Sequence, residues 1–182
     1  MNNNIDTKFI DKLPSGNLDE INVVIEIPKA SNVKYEVDKE TGVLSIDRKL
    51  FTAMFYPFNY GFIPSTLEDD GDPVDVLVLS DFSAFPLSVL KSIPIGVLLT
   101  EDEEGQDSKI IAIPIKKIDP TYSEIQRIED IPDNIKKQIA HFFEHYKELE
   151  GGKYVKISGW GNKEEAIKKI SDSITRFKKN NM

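Results

Sequence analysis

Residues 68–80 read EDDGDPVDVLVLS, so Glu68, Asp69, Asp70, Asp72 and Asp75 crowd in front of an apolar, mostly β-branched run. Two carboxylates about 4 Å apart repel by ~4 kcal/mol at an effective dielectric of about 20. Several that converge are unfavourable unless a cation cancels them. Gly71 permits a sharp bend and Pro73 stiffens the chain. The offsets between Asp70, Asp72 and Asp75 mean that a plain strand could not aim all of them one way, whereas a turn entering VDVLV could. An EF-hand does not fit: with Gly71 in the sixth place of the loop, the first ligand would be Thr66 and the last Leu77, where an acid is needed. Asp and Glu with no His or Cys nearby favour a hard, oxygen-loving ion such as Mg²⁺ or Mn²⁺. A second acidic stretch, TEDEEGQDSK at 100–109, again follows a strand and again has Gly105 in its turn. By itself either stretch also reads as a solvated turn.

The elements that must hold these acids are mostly strands. INVVIEIP (21–28) is a strand by composition, and VKYEVD (33–38) alternates Val33, Tyr35 and Val37 with Lys34, Glu36 and Asp38. A turn at KETG (39–42), with Gly42 supplying a positive φ, leads into VLSIDR (43–48) and makes a hairpin. Further strands are predicted at 74–80, 88–99, 109–115 and 154–160. In PDNIKKQIAHFFEHYKELEGG, Ile135, Ile139, Phe142, Tyr146 and Leu149 follow the helical period, with Pro132 near the start and Gly151-Gly152 as the stop. Asn162 and Glu165 make a capping-box start for a last helix whose apolar stripe is Ile167, Ile170, Ile174 and Phe177. Short strands at regular intervals followed by helices predict an α+β fold: a small closed or partly closed antiparallel barrel with two helices packed outside it, or an open α+β sandwich. A chain of 182 residues with no repeat or linker reads as one domain, 1–182.

Composition narrows the function. With 40% hydrophobic and 30% charged residues the chain can bury a core, and the absence of Cys excludes disulfides, thiol nucleophiles and thiolate-bound zinc. The longest apolar run, IPIGVLL from Ile93, is far short of the ~20 residues that span a bilayer, and the first residues lack a signal-peptide pattern, so the cytoplasm is expected and no membrane partner. A formal charge of −8, from 31 acids and 23 bases, repels nucleic acid on average. An anionic guest therefore needs metal ions or a local cationic patch. Many of the bases fall in the last helix, but Lys34, Arg48 and Lys109 sit alone in strand-like runs.

DGDPVDV resembles the signature of the family I soluble inorganic pyrophosphatases: Asp, a small or polar residue, Asp, Pro, an apolar residue, Asp, another apolar residue. VVIEIP, VKYEVD, the DR of SIDRKL, TAMFYPFNYGFIPSTL, GQDSK, HFFEHYK and VKISGWG are similar to the corresponding stretches of the bacterial members, in the same order, from about Asn17 to Phe177. The resemblance implies an OB-like barrel and hydrolysis of inorganic diphosphate to two orthophosphates, dependent on several Mg²⁺ ions, with Mn²⁺ or Zn²⁺ as possible substitutes. By motif position it implies that Asp70, Asp75 and Asp107 ligate the tightest metal, that Asp102 is a further metal ligand, and that Asp72 is the general base beside the attacking water. Glu26 and Glu36 match acids that hold metals or their waters, and Tyr56 matches a cavity residue. Lys34, Arg48, Tyr60, Lys109, Tyr146 and Lys147 match the positions that grip phosphate. Subunits of this length in bacteria are typically hexameric, so self-association as a homohexamer is expected. Tyr154 stands where the family pattern has Trp.

Three rivals come from the residues themselves. HFFEH (141–145) fits H-x-x-E-H, a zinc-protease arrangement, although the helix stripe leaves both His rings at its edge. An OB-like module binding single-stranded nucleic acid would suit a barrel with exposed aromatics. A two-carboxylate glycosidase would need neither the bases nor a metal.

Overall fold

The computed structural model describes residues 12–38, 41–103 and 105–180. The strands are β1 (Ile21–Ile27), β2 (Val33–Val37), β3 (Leu44–Lys49), β4 (Asn59–Phe62), β5 (Asp75–Val78), β6 (Val89–Asp102), β7 (Gly105–Gln106), β8 (Lys109–Pro114) and β9 (Val155–Gly161). The helices are α1 (Asp133–His145) and α2 (Lys163–Asn180). Hydrogen bonds run β1–β4–β5–β8–β6 and return from β6 to β1, so these strands close into a ring. β7 and β9 extend from β6, and β2 and β3 form a separate hairpin. The expected OB-like barrel with added strands and two helices is the observed architecture. One pairing departs from an all-antiparallel ring: β5 and β8 are parallel, with Val76 opposite Ile110.

Alternation along the strands explains the two apolar clusters. Leu77, Leu79, Ile111 and Ile113 face one way and pack with Ile139, Phe142 and Phe143 of α1. Their neighbours Val76, Val78, Ile110 and Ala112 face the other way and pack with Ala166 and Ile170 of α2. Period-2 strands buried on both faces need apolar residues at consecutive positions, which is what DVLV and KIIAIP supply.

The hairpin turn at 39–42 is framed by Gly42 at φ +69° and a bond from the Gly42 N–H to the Asp38 carbonyl at 2.7 Å; Lys39 and Glu40 lie outside the described residues. β4 was not among the predicted strands, because NYGF carries two residues that strands disfavour. Its glycine is there for space: a Cβ on Gly61 would lie 1.9 Å from the Val24 carbonyl oxygen of the neighbouring strand. α1 stops at His145, before Gly151-Gly152, so Leu149 leaves the predicted stripe and is 62% exposed. α2 begins on the predicted capping box, with Asn162 Oδ1 accepting the Glu165 N–H at 2.9 Å and Glu165 Oε2 accepting the Asn162 N–H at 2.6 Å. Its fully buried residues are Ala166, Ile170 and Ser173, and Ile167 is only half-buried. Among the described residues no helix is long and apolar enough to cross a membrane.

Candidate active site

The parallel pair decides where the chemistry collects. Asp75 opens β5 and Lys109 opens β8, so both stand at the same end of the ring, and β6, antiparallel to β8, brings its last residue Asp102 to that end as well. The β2–β3 hairpin contributes Lys34, Glu36, Asp47 and Arg48, and the end of α1 contributes Tyr146 and Lys147. Together they enclose a cavity of about 510 Å³.

Every residue that the family resemblance assigns to the site lines this one cavity: Glu26, Lys34, Glu36, Arg48, Tyr56, Tyr60, Asp70, Asp72, Asp75, Asp102, Asp107, Lys109, Tyr146 and Lys147. The ion pairs within it are specific. Lys109 Nζ donates to Asp75 Oδ2 at 2.6 Å and also to Asp107, bridging the two acids. Lys147 Nζ donates to Asp102 Oδ2 at 2.9 Å and to Glu103 Oε2 at 3.2 Å. Lys34 pairs with Glu36 and stands 3.4 Å from Asp47, while Arg48 pairs with Asp47 and donates from Nε to Glu150 Oε1 at 2.9 Å. Asp47, Glu103 and Glu150 were not picked out from the sequence as site residues. Asp47's place beside Arg48 and Glu103's place in the acidic run were the available signals; nothing local marks Glu150, which lies far along the chain from Arg48.

Electrostatics follow from burial against these pairs. Burial alone would push the Lys109 ammonium down, but Asp75 and Asp107 outweigh it and raise its pKa; Glu36 and Asp47 do the same for Lys34, and Asp102 and Glu103 for Lys147. Burial raises Tyr56 and Tyr60 well above the ordinary phenol value and raises Tyr146 against the pull of Lys109, Lys147 and Lys34. These hydroxyls are therefore donors at neutral pH. Asp107 is raised by burial and by Asp75, with Lys109 opposing.

Glu26 is the extreme case. Burial lifts it from 4.5 to about 8, against the stabilising hydrogen bond from the Val37 N–H at 2.7 Å. Between those values the fold holds a proton that the unfolded chain has released, so the Glu26 contribution to stability falls as pH rises through that window and is constant outside it. Glu26→Gln removes this dependence. In chelator, the melting temperature of the variant minus that of the parent should widen by at least ~4 °C from about pH 5 to about pH 8. A constant difference across that range would place the proton elsewhere.

The donor set suits a hard divalent cation: the acids of the wall offer oxygen, with no sulfur and no imidazole among them. As they stand, no three acidic or imidazole groups among the described residues are gathered closely enough to hold an ion, and Lys109 occupies the space between Asp75 and Asp107. The zinc-protease rival lies away from the cavity: His141 and His145 adjoin each other, ring centroids 4.4 Å apart, and neither is among the lining residues. The cavity offers a nucleic-acid module no free ring at Tyr56 or Tyr60, which are buried and packed at tilted or edge-on angles against Phe142, Phe143 and Tyr146. A two-carboxylate glycosidase leaves the converging lysines without a task.

Comparison with known proteins agrees with this geometry. The family profile described as Inorganic pyrophosphatase matches residues 23–178. The chain is 58% identical over 158 residues to an inorganic pyrophosphatase of Sulfolobus acidocaldarius, covering 87% of this chain and 91% of that protein. It is 54% identical over 173 residues to one from Rickettsia bellii, covering 94% and 99%. Among solved structures, the inorganic pyrophosphatase of Helicobacter pylori superposes with a TM-score of 0.89 at 52% identity, over 92% of this chain and 99% of that one. A profile spanning most of the chain, relatives above half identity and a shared fold lead to one conclusion: the chain belongs to the inorganic pyrophosphatase family.

Proposed function

We propose that the protein hydrolyses inorganic diphosphate to two orthophosphates in this cavity. The observation that carries the reading is the wall itself, where Lys34, Arg48, Lys109 and Lys147 share one space with Asp70, Asp72, Asp75, Asp102 and Asp107. A small anion with charge at both ends needs cations on more than one side, and the acids need a positive charge of their own.

In this reading the cations bind and orient. Arg48 offers a planar fork to phosphate oxygens, Lys34, Lys109 and Lys147 offer compact charges, and the protonated hydroxyls of Tyr60 and Tyr146 donate. Asp72 accepts a proton from water as its oxygen attacks one phosphorus, the bridging P–O bond breaks, and the second phosphate departs with the bridging oxygen. Asp70, Asp75, Asp102 and Asp107, with Glu26 and Glu36 behind them, would hold divalent ions, which when bound lower the pKa of water and withdraw charge from phosphoryl oxygens. Tyr56 supports Tyr60 and Tyr146 through ring contacts at 5.6 and 6.3 Å.

Mg²⁺ is the ion proposed, since oxygen-only donors favour it, with Mn²⁺ or Zn²⁺ as substitutes. A homohexamer, on the strength of the family resemblance, completes the reading, with the cytoplasm as its expected place. The net charge of −8 argues against nucleic acid as a partner.

Phosphate release from diphosphate, measured with Mg²⁺, with chelator, and beside ATP, tests this. Release should require the metal and should be at least about 100-fold slower from ATP, whose adenosine end gains no second set of cations. No release in Mg²⁺, or equal release from ATP, would overturn it.

A further inference from the structure

The acids of the signature loop are divided between two tasks. Asp70 and Asp72 line the cavity, whereas Glu68 and Asp69 turn to α2. Glu68 pairs with Lys169 and accepts the Ser173 hydroxyl; Asp69 Oδ1 lies 2.9 Å from Arg176 Nη2. The backbone is fastened at the same place. The Leu67 N–H donates to the Ser173 carbonyl at 3.1 Å, and Arg176 Nη1 donates to the Leu67 carbonyl at 2.6 Å.

Glu68 also connects this anchorage to the cavity residues. Its N–H donates to the Asp72 carbonyl at 2.7 Å and its carbonyl accepts the Gly71 N–H at 3.3 Å, while the Asp72 N–H donates to Asp70 Oδ1 at 2.9 Å. Residues 69–72 are otherwise exposed, and Gly71, at φ +91°, has open space around it. A loop so exposed takes part of its position from these anchors on α2. Ser173, 1% exposed, is a rigid point in α2, and Ala166 and Ile170 root that helix on the barrel. The Lys169 and Arg176 charges also offset the repulsion that would otherwise spread the loop's acids apart.

We propose that Glu68, Ser173 and Arg176 are positioning residues: through them α2 sets where Asp70 and Asp72 stand in the cavity. The inference rests on the functional reading above and names residues outside the cavity chemistry. If α2 merely adds stability, disturbing the contact lowers the melting temperature and leaves the folded site unchanged. If it positions the loop, the site changes while the barrel does not.

The test compares Glu68→Ala, Glu68→Gln and Arg176→Ala with the parent protein. It reads Mn²⁺ binding without substrate by electron spin resonance, amide hydrogen exchange, and kcat and KM. Glu68→Ala and Arg176→Ala should weaken Mn²⁺ binding and lower kcat about 10- to 100-fold, the usual effect of removing a group that orients a ligand. KM should move less than about threefold. Exchange at the Gly71 and Asp72 amides should quicken while that of β5 and β8 is unchanged. Glu68→Gln, which keeps the Ser173 contact, should recover part of the loss. Wild-type Mn²⁺ affinity in both alanine variants, or quickened exchange spread evenly through the barrel, would overturn the proposal. A parent protein that releases no phosphate would instead sink the diphosphate reading, and Mn²⁺ affinity and exchange would still judge the role of α2.

Discussion

Asp72→Asn should lower turnover by about 10²- to 10⁴-fold, the span expected when a positioned proton acceptor is removed. The variant is nearly isosteric, and the residue is exposed, so its cost in stability should stay within about 0.5 kcal/mol. The substitution keeps the loop's backbone contacts. Asp72 enters the loop's hydrogen bonds through its N–H, given to Asp70 Oδ1, and its carbonyl, taken by Glu68, and Asn preserves both. Steady-state phosphate release run beside urea denaturation separates the two quantities. Turnover within threefold of the parent would remove Asp72 from the role of proton acceptor.

Lys109→Met is expected to have a large effect of a different kind. The Lys109 side chain is 6% exposed and its ammonium bridges Asp75 and Asp107, whose side chains are 29% and 27% exposed. Taking away one partner of a buried ion pair typically costs 3–5 kcal/mol, and because these carboxylates keep some access to water the lower end, about 3 kcal/mol, applies. For a chain of this size that is a fall of roughly 6–12 °C in melting temperature. Activity should fall as well, by about 100-fold in kcat/KM, since a donor to the phosphate is gone. The deficit should shrink with metal: a divalent ion would replace the missing positive charge, so Mg²⁺ should restore more stability to the variant than it adds to the parent. Equal melting temperatures of the two proteins in chelator would show that Asp75 and Asp107 do not depend on Lys109.

The strands with clean alternation or continuous β-branched runs were legible in the sequence because one local pattern fixes each of them. What was not legible depends on partners distant along the chain. β4 hid behind Asn59 and Gly61, and the need for Gly61 appears only when Val24 of β1 is laid against it. The parallel register of β5 and β8 is a property of neither strand alone. It matters most for the site, because an antiparallel register would have set Asp75 opposite the far end of β8, a strand length from Lys109. That the proposed site residues share one cavity was anticipated through a resemblance spread over nearly the whole chain. Their counterions were only partly so: Glu150 meets Arg48 across 102 positions of sequence. Leu149 misled because a helical period says where a stripe would continue and nothing about where the helix stops.

The bridge made by Lys109 has a consequence for how the cavity fills. Asp75 and Asp107 already hold the Lys109 ammonium, so a guest that takes any of these three groups must break a pair. On the proposed reading, a divalent ion taking Asp75 and Asp107 would release an ammonium for phosphate, and a phosphate taking that ammonium would vacate two carboxylates for an ion. Each guest would open the door for the other, and by reciprocity each would tighten the other's binding by the same factor.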